Sequence, residues 1–135
     1  MLKINQKIID EIYKHAKEEA PFEACGYLAG RKNNVMKKYA MTNMDKSKEH
    51  FTLDVNEQFK VIKEARSKGL DIIAVYHTHP HSPARLSMED IRLANDPDIT
   101  YIILSLAEQN IDIRSFKIKN GVIKKEELKI IKDKN

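Results

Sequence analysis

The chain lacks most of the residues that would tie it to the secretory pathway, a membrane or nucleic acid. A single cysteine, Cys25, occurs in 135 residues, so no intramolecular disulfide can form. The N-terminus, Met1-Leu2-Lys3-Ile4-Asn5-Gln6-Lys7, has no signal-peptide core. Together these predict a cytoplasmic protein. No apolar run approaches the ~20 residues that cross a bilayer. Charge of one sign is scarcely in excess: 24 Lys and Arg against 20 Asp and Glu leave +4, spread without a strongly basic stripe. Aromatics make up 7% and form no stacking pattern, so no nucleic-acid interface is expected. The mild positive excess suits a solvated surface, or a weak preference for an acidic protein partner. Repeats, low-complexity segments and linkers are also missing. A chain of 135 residues, 41% hydrophobic and 33% charged, fits one globular domain, residues 1–135, around one core.

What is present is concentrated in His77-Thr78-His79-Pro80 and Ser87-Met88-Glu89-Asp90. The first ends an apolar run, Ile72-Ile73-Ala74-Val75-Tyr76, that reads as a buried strand. Residues i and i+2 of a strand share a face, so His77 and His79 present two imidazoles side by side where the strand stops at Pro80. Residues 81–86 read as a loop. Ser87 then reads as a helix N-cap with Asp90 at the third helical position, where the helix dipole favours a carboxylate. Two histidines and one aspartate make three ligands with a fourth position open, the pattern of a catalytic rather than a structural zinc site. Taken separately, Ser87 to Asp90 could be a capping box alone, and a His-x-His on a strand need bind nothing. The combination is far more specific.

The remaining pattern predicts an α/β architecture, a mixed sheet flanked by helices. Ile8, Ile9, Ile12, Tyr13 and Ala16 have helical spacing over residues 5–20, ended by Pro21. Residues 24–30 and 35–42 read as paired strands with Asn33-Asn34 at the turn. Phe51-Thr52-Leu53 is a short strand candidate. Asp54 or Asn56 caps a helix over about 55–68, with Phe59, Ile62 and Ala65 inward and Gly69 as its stop. Residues 88–94 form a short helix, and 99–106 and 111–118 are strands. Asn120-Gly121 is a hairpin turn into one final strand over 122–131.

A catalytic zinc site needs a group to take a proton from water. The candidate is Glu23, in Pro21-Phe22-Glu23-Ala24-Cys25-Gly26-Tyr27-Leu28-Ala29-Gly30, at the entry of an apolar strand. An exposed strand-edge glutamate would look the same from position alone. Glu23 in this stretch, followed by His77-x-His79-Pro80, six residues and Ser87-x-x-Asp90, resembles the JAMM or MPN-plus (JAB domain) metallopeptidase family, over nearly the whole chain. The resemblance implies a fold like that of the cytidine deaminases. A deaminase itself would need a His-x-Glu and a Pro-Cys-x-x-Cys, which one cysteine cannot supply.

The resemblance implies that His77, His79 and Asp90 bind one zinc ion per chain with water in the fourth position. It implies that Glu23 deprotonates that water and returns the proton to the leaving amine. Ser87 is implied to donate a hydrogen bond to the oxyanion, which an N-cap hydroxyl can do while accepting from the backbone. Cys25 is expected to be a small buried side chain on the face of Glu23. His81 matches no ligand position, and His15 and His50 are expected at the surface. The chain resembles the compact prokaryotic members. This implies hydrolysis after the C-terminal Gly-Gly of a ubiquitin-like or sulfur-carrier protein, releasing an amino acid or an isopeptide-linked lysine. A groove formed by residues 50–53 and 81–86 would pair an extended, side-chain-free tail. The alternative is a non-catalytic MPN-type binding module, which would be expected to lose one of Glu23, His77, His79 or Asp90. A relative of the RadC proteins would carry a further N-terminal helical region. Bond type is open between linear peptide and isopeptide, and assembly between monomer and homodimer.

Overall fold

The computed structural model describes residues 1–48, 51–107 and 109–132. Its strands are β1 Leu2–Asn5, β2 Cys25–Arg31, β3 Asn34–Met41, β4 Asp71–His79, β5 Thr100–Ser105, β6 Asp112–Lys119, β7 Val122–Glu126 and β8 Leu128–Ile131. Its helices are α1 Gln6–Glu19, α2 Val55–Ser67 and α3 Met88–Leu93. The eight strands form one mixed sheet in the order β7-β6-β5-β4-β2-β3-β1-β8. β2 pairs antiparallel with both β3 and β4, and β4 pairs parallel with β5.

Each helix covers one face. α1 buries Ile8, Ile9, Ile12 and Ala16 against Leu28, Ala74, Tyr76, Ile102 and Leu104. Each buried isoleucine contributes about 1.5–3 kcal/mol. On the opposite face α2 packs Val61 and Ala65 against Tyr27, Ala29, Tyr39, Met41 and Val75. Alternation along β4 therefore sends Ala74 and Tyr76 towards α1, and Val75, His77 and His79 to the face of α2. This period of two decides where the histidines point.

The sequence reading needs correction in several places. β1 was not anticipated; Leu2 and Ile4 are fully buried in alternation, but four residues are too few for a periodicity to stand out. The final strand over 122–131 is two strands. β7 pairs antiparallel with β6 and β8 pairs parallel with β1, at opposite ends of the sheet order, with only Glu127 between them. The sheet must therefore curl until its two edges meet at one residue. The N-terminus seals this seam: the Met1 ammonium lies 2.7 Å from Glu126, and the Leu2 N–H donates to the Glu127 carbonyl at 2.8 Å. Phe51-Thr52-Leu53 forms no strand, only one bridge from Leu53 to Asn43. The β2–β3 turn is Lys32-Asn33, both at positive φ, so Asn34 already belongs to β3. Phe59 points outward at 68% exposure, because the buried stripe of α2 runs through Val61 and Ala65 and Phe59 lies off it. Asp54 is the α2 cap, accepting from the Asn56 N–H at 3.0 Å.

His15 is also corrected, from surface to buried: its Nδ1 is hydrogen-bonded to the Tyr76 hydroxyl at 2.8 Å under α1. His50 lies outside the described residues. Burial, then the charge of Lys38, holds the His15 imidazole below its ordinary value of 6.5, against the opposing pull of Glu19 and Glu18. Its folded pKa is thus below the unfolded one. The stability it contributes is complete above pH 6.5 and is lost as the pH falls from there towards the folded pKa. Thermal unfolding at about pH 7.5 and about pH 5 should show the wild type losing more stability on acidification than His15→Gln. Equal losses would contradict a buried neutral imidazole.

Gly26 lies on β2 between Ala40 of β3 and Tyr76 of β4. An added Cβ would lie 2.3 Å from the Tyr76 ring and 2.4 Å from the Tyr39 carbonyl oxygen. The carbonyl is backbone and cannot swing aside. Gly26→Ala is expected to cost about 3 kcal/mol or more, read as a lower urea midpoint.

Candidate active site

β4 delivers His77 and His79 to the α2 face at its C-terminal end, and Pro80 stops the strand. The chain then loops to Ser87, the N-cap of α3. Ser87 Oγ accepts from the Asp90 N–H at 3.0 Å, and the Ser87 N–H donates to Asp90 Oδ2 at 2.9 Å. This reciprocal capping box fixes the Asp90 carboxylate at N3 and turns it towards the histidines. The cap and the site are therefore the same device.

The three side chains converge. His77 Nε2 and His79 Nε2 are 3.2 Å apart, His77 Nε2 is 3.2 Å from Asp90 Oδ1, and His79 Nε2 is 3.3 Å from Asp90 Oδ2. Donors about 2.0–2.1 Å from a tetrahedral ion stand roughly 3.3 Å from one another, so the trio fits such an ion without rearrangement. The orientation fits too. His79 Nδ1 lies 2.9 Å from the Pro83 carbonyl, to which it can only donate, leaving Nε2 with its lone pair towards the centre. The His77 ring is stacked on Phe51, with centroids 4.9 Å apart. These three residues are the group among the described residues that could hold a metal ion.

The electrostatics point the same way. Burial raises the Asp90 carboxyl, but hydrogen bonds from His77 and His79 and the Ser87 N–H prevail and hold it well below the usual carboxylate range. Burial lowers His79, and Asp90 with the Pro83 carbonyl outweighs it, so the imidazole is raised. The buried carboxylate demands a positive partner, which a proton or a cation can supply.

Glu23 is 1% exposed, so the surface alternative does not hold. Its backbone is clasped on both sides: the N–H donates to the Ser47 carbonyl at 2.7 Å, and the carbonyl accepts from Asn43 Nδ2 at 3.1 Å. One residue on, the Ala24 N–H donates to Thr78 Oγ1 at 2.8 Å, and the Thr78 N–H to the Ala24 carbonyl at 2.9 Å. The β2–β4 register pairs Cys25 with His77. Continued through Ala24 and Thr78, it sets Glu23 beside His79. Glu23, His79 and Ser87 line one open cleft of about 730 Å3. Cys25 is fully buried, and burial pushes its thiol up to about 12, so it stays protonated. His81 is exposed and lines the same cleft without joining the converging donors.

Sequence reasoning missed the residues that hold Glu23. Thr78 is the middle residue of His-x-His, and alternation alone sends it away from the histidines. Its role appears only in the register with β2. Asn43 also receives the N–H groups of Asp45 at 3.0 Å and Thr52 at 3.2 Å on its Oδ1, fastening both of these residues to it. No pattern in a polar loop marks such a residue in advance.

A family model for prokaryotic homologs of the JAB domain matches residues 5–119. The chain belongs to this family. The CysO-cysteine peptidase of Mycobacterium tuberculosis is 29% identical over 134 residues, covering 97% of this chain and 92% of that protein. A desampylase of Pyrococcus furiosus is 30% identical, covering 76% and 74% respectively. Among solved structures, a Desulfitobacterium hafniense protein determined in solution superposes with a TM-score of 0.90 at 39% identity, covering 98% of this chain and 94% of that one.

Proposed function

We propose that the protein is a zinc-dependent peptidase or isopeptidase that hydrolyses the amide bond after the C-terminal Gly-Gly of a ubiquitin-like or sulfur-carrier protein. The observation that carries this reading is that His79, one of the converging His77–His79–Asp90 trio, lines one cleft together with Glu23 and Ser87. The names of the similar proteins, a CysO-cysteine peptidase and a desampylase, support it. His77, His79 and Asp90 would hold one zinc ion. Bound there, zinc supplies Lewis acidity and lowers the pKa of water to about 7.

The chain's own groups do the rest. Glu23 takes a proton from the attacking water onto its carboxylate and delivers it to the departing nitrogen. Its clasped backbone holds the carboxylate in place through both transfers. Ser87 Oγ accepts from the Asp90 N–H, which leaves its own hydrogen to donate to the developing oxyanion. The Pro83 carbonyl keeps the His79 imidazole oriented, and the stack on Phe51 does so for His77.

A second cleft, of about 720 Å3, suits the acyl side. Its wall is mixed: Phe51, Leu53, Ile62 and Tyr101 supply apolar surface, and Arg66 and Asp96 are among its charged side chains. Phe51 and Tyr101 also border the small cavity against His77 and Asp90. A Gly-Gly end presents no side chain to Phe51 and Tyr101, which border both, while the residues before it meet the mixed wall of the larger cleft. Of the groove expected from residues 50–53 and 81–86, Phe51 and Leu86 border the small cavity together. Thr52 and Leu53 line the acyl side, and His81 and Ser82 line the opposite cleft.

A ubiquitin-like carrier extended by one residue past Gly-Gly tests the reading by mass detection. The zinc-loaded protein should return a carrier ending at its last glycine. An intact carrier, with zinc bound, would leave the binding-module alternative in place.

A further inference from the structure

The two histidines of the metal trio are held in different ways. The His77 ring rests on Phe51, whereas His79 Nδ1 donates to a backbone carbonyl, that of Pro83, at 2.9 Å. That carbonyl decides which nitrogen of His79 carries the proton, and so which one is left to face an ion. The site therefore depends on whatever holds the Pro83 carbonyl in place. β5 ends beside β4, with Ser105 in register with His79. Ser105 is fully buried at the end of an apolar strand, where a hydroxyl is costly unless it is bonded. It is bonded twice. Its Oγ accepts from the Ala107 N–H at 3.0 Å, and its hydrogen is given to the Ser82 carbonyl at 2.6 Å. Between these contacts the Leu106 N–H donates to the His79 carbonyl at 3.0 Å.

The Ser82-Pro83 dipeptide turns this anchor into an orientation. A hydrogen bond to the Ser82 carbonyl holds the planar peptide that joins the two residues. Beyond that plane the proline ring locks φ, so only ψ of Pro83 can swing its own carbonyl. Two contacts settle ψ. The Arg85 N–H donates to the Pro83 carbonyl at 2.8 Å, and Ala84 is buried against Ile103 and Phe116. A carbonyl oxygen has two lone pairs, so it serves Arg85 and His79 together. Ser115 on β6 makes a bond of the same kind: it is buried, and its Oγ donates to the Glu126 carbonyl at 2.6 Å. That carbonyl leads to β7 and not to a metal ligand. The two serines are thus alike in chemistry and differ in what they hold.

We infer that Ser105 is a positioning residue for the metal centre: through the Ser82 carbonyl it holds the Pro83 carbonyl at His79 Nδ1, and so keeps the Nε2 lone pair of His79 on the ion. This rests on the zinc site proposed above. Ser105 touches neither the ion nor the substrate.

Zinc affinity, measured by competition with a chromophoric chelator, tests this without reference to hydrolysis. The proteins compared are the wild type, Ser105→Ala, Pro83→Gly, the double variant of these two, and Ser115→Ala, each with the unfolding midpoint of its metal-free form. Ser105→Ala should bind zinc about 10- to 100-fold more weakly, the usual loss when a partner behind a metal ligand is removed. Ser115→Ala gives up a bond of the same kind and should keep the wild-type affinity. Pro83→Gly retains the carbonyl but frees φ, and should also weaken binding. Because both changes act through one carbonyl, the double variant should lose less than the product of the two single losses. Wild-type affinity in Ser105→Ala, an equal loss in Ser115→Ala, or single losses that multiply in the double variant would overturn the role of Ser105 and leave the zinc site standing. A wild type that takes up no zinc would overturn both.

Discussion

Glu23→Gln is expected to lower kcat by about 10^2- to 10^4-fold, the usual contribution of a positioned general acid–base group, with zinc still bound at the wild-type level. The separation of these two effects follows from the structure. Glu23 lies outside the converging trio of His77, His79 and Asp90. Its backbone bonds to Ser47 and Asn43, and those of its neighbour Ala24 to Thr78, do not depend on the carboxylate. Glutamine keeps the shape and loses the ability to accept and return a proton. Metal analysis beside steady-state rates reads both quantities. A variant that loses zinc together with activity would make Glu23 a structural partner of the site rather than its base. A variant with unchanged kcat would remove it from the mechanism.

His79→Ala is expected to abolish both zinc binding and hydrolysis, with a rate loss beyond about 10^4-fold, because lowering the pKa of water from 15.7 to about 7 is the ion's contribution. Two protein donors, His77 and Asp90, would remain where a catalytic zinc site takes three. The loss reaches further than one ligand. His79 is the partner of Asp90 at 3.3 Å and of the Pro83 carbonyl at 2.9 Å, so its removal leaves a buried carboxylate with less positive charge beside it and frees the loop that leads to Ser87. The unfolding midpoint should therefore fall as well, by more than chelation lowers that of the wild type, because the carboxylate loses a partner as well as the stabilisation given by mass action. Inductively coupled plasma analysis and thermal unfolding check this. Full zinc occupancy in His79→Ala would contradict the ligand set.

The candidate site was more legible in the sequence than the fold around it. Its elements announce themselves locally. A strand must stop at Pro80, and alternation fixes His77 and His79 on one face. A serine three residues before an aspartate marks a helix start. Those signals act over a few residues, which is the range a single sequence resolves. What remained hidden depends on partners far along the chain. β1 is four residues long and is held by pairing with β8, some 125 positions away in the sequence. The break at Glu127 is dictated by the meeting of two sheet edges and not by any residue type. Phe59 looked inward because it is large and apolar. It faces out because the register of α2 is set by Val61 and Ala65, and an exposed aromatic on a helix violates no local rule. His15 looked like a surface residue for want of a sequence partner, and its partner, Tyr76, arrives on β4. The same gap hid the clasp on Glu23: Thr78 and Asn43 act through the backbone of a segment they meet only after folding.

The central claim is that one metal ion in the His77–His79–Asp90 site drives amide hydrolysis after Gly-Gly. Its most direct test is a zinc titration of the metal-free protein, following cleavage of the extended carrier. Activity should rise linearly and break at about one zinc per chain, with the product ending at its last glycine. Activity that is already full without metal, or that stays absent once the site is filled, would contradict the account.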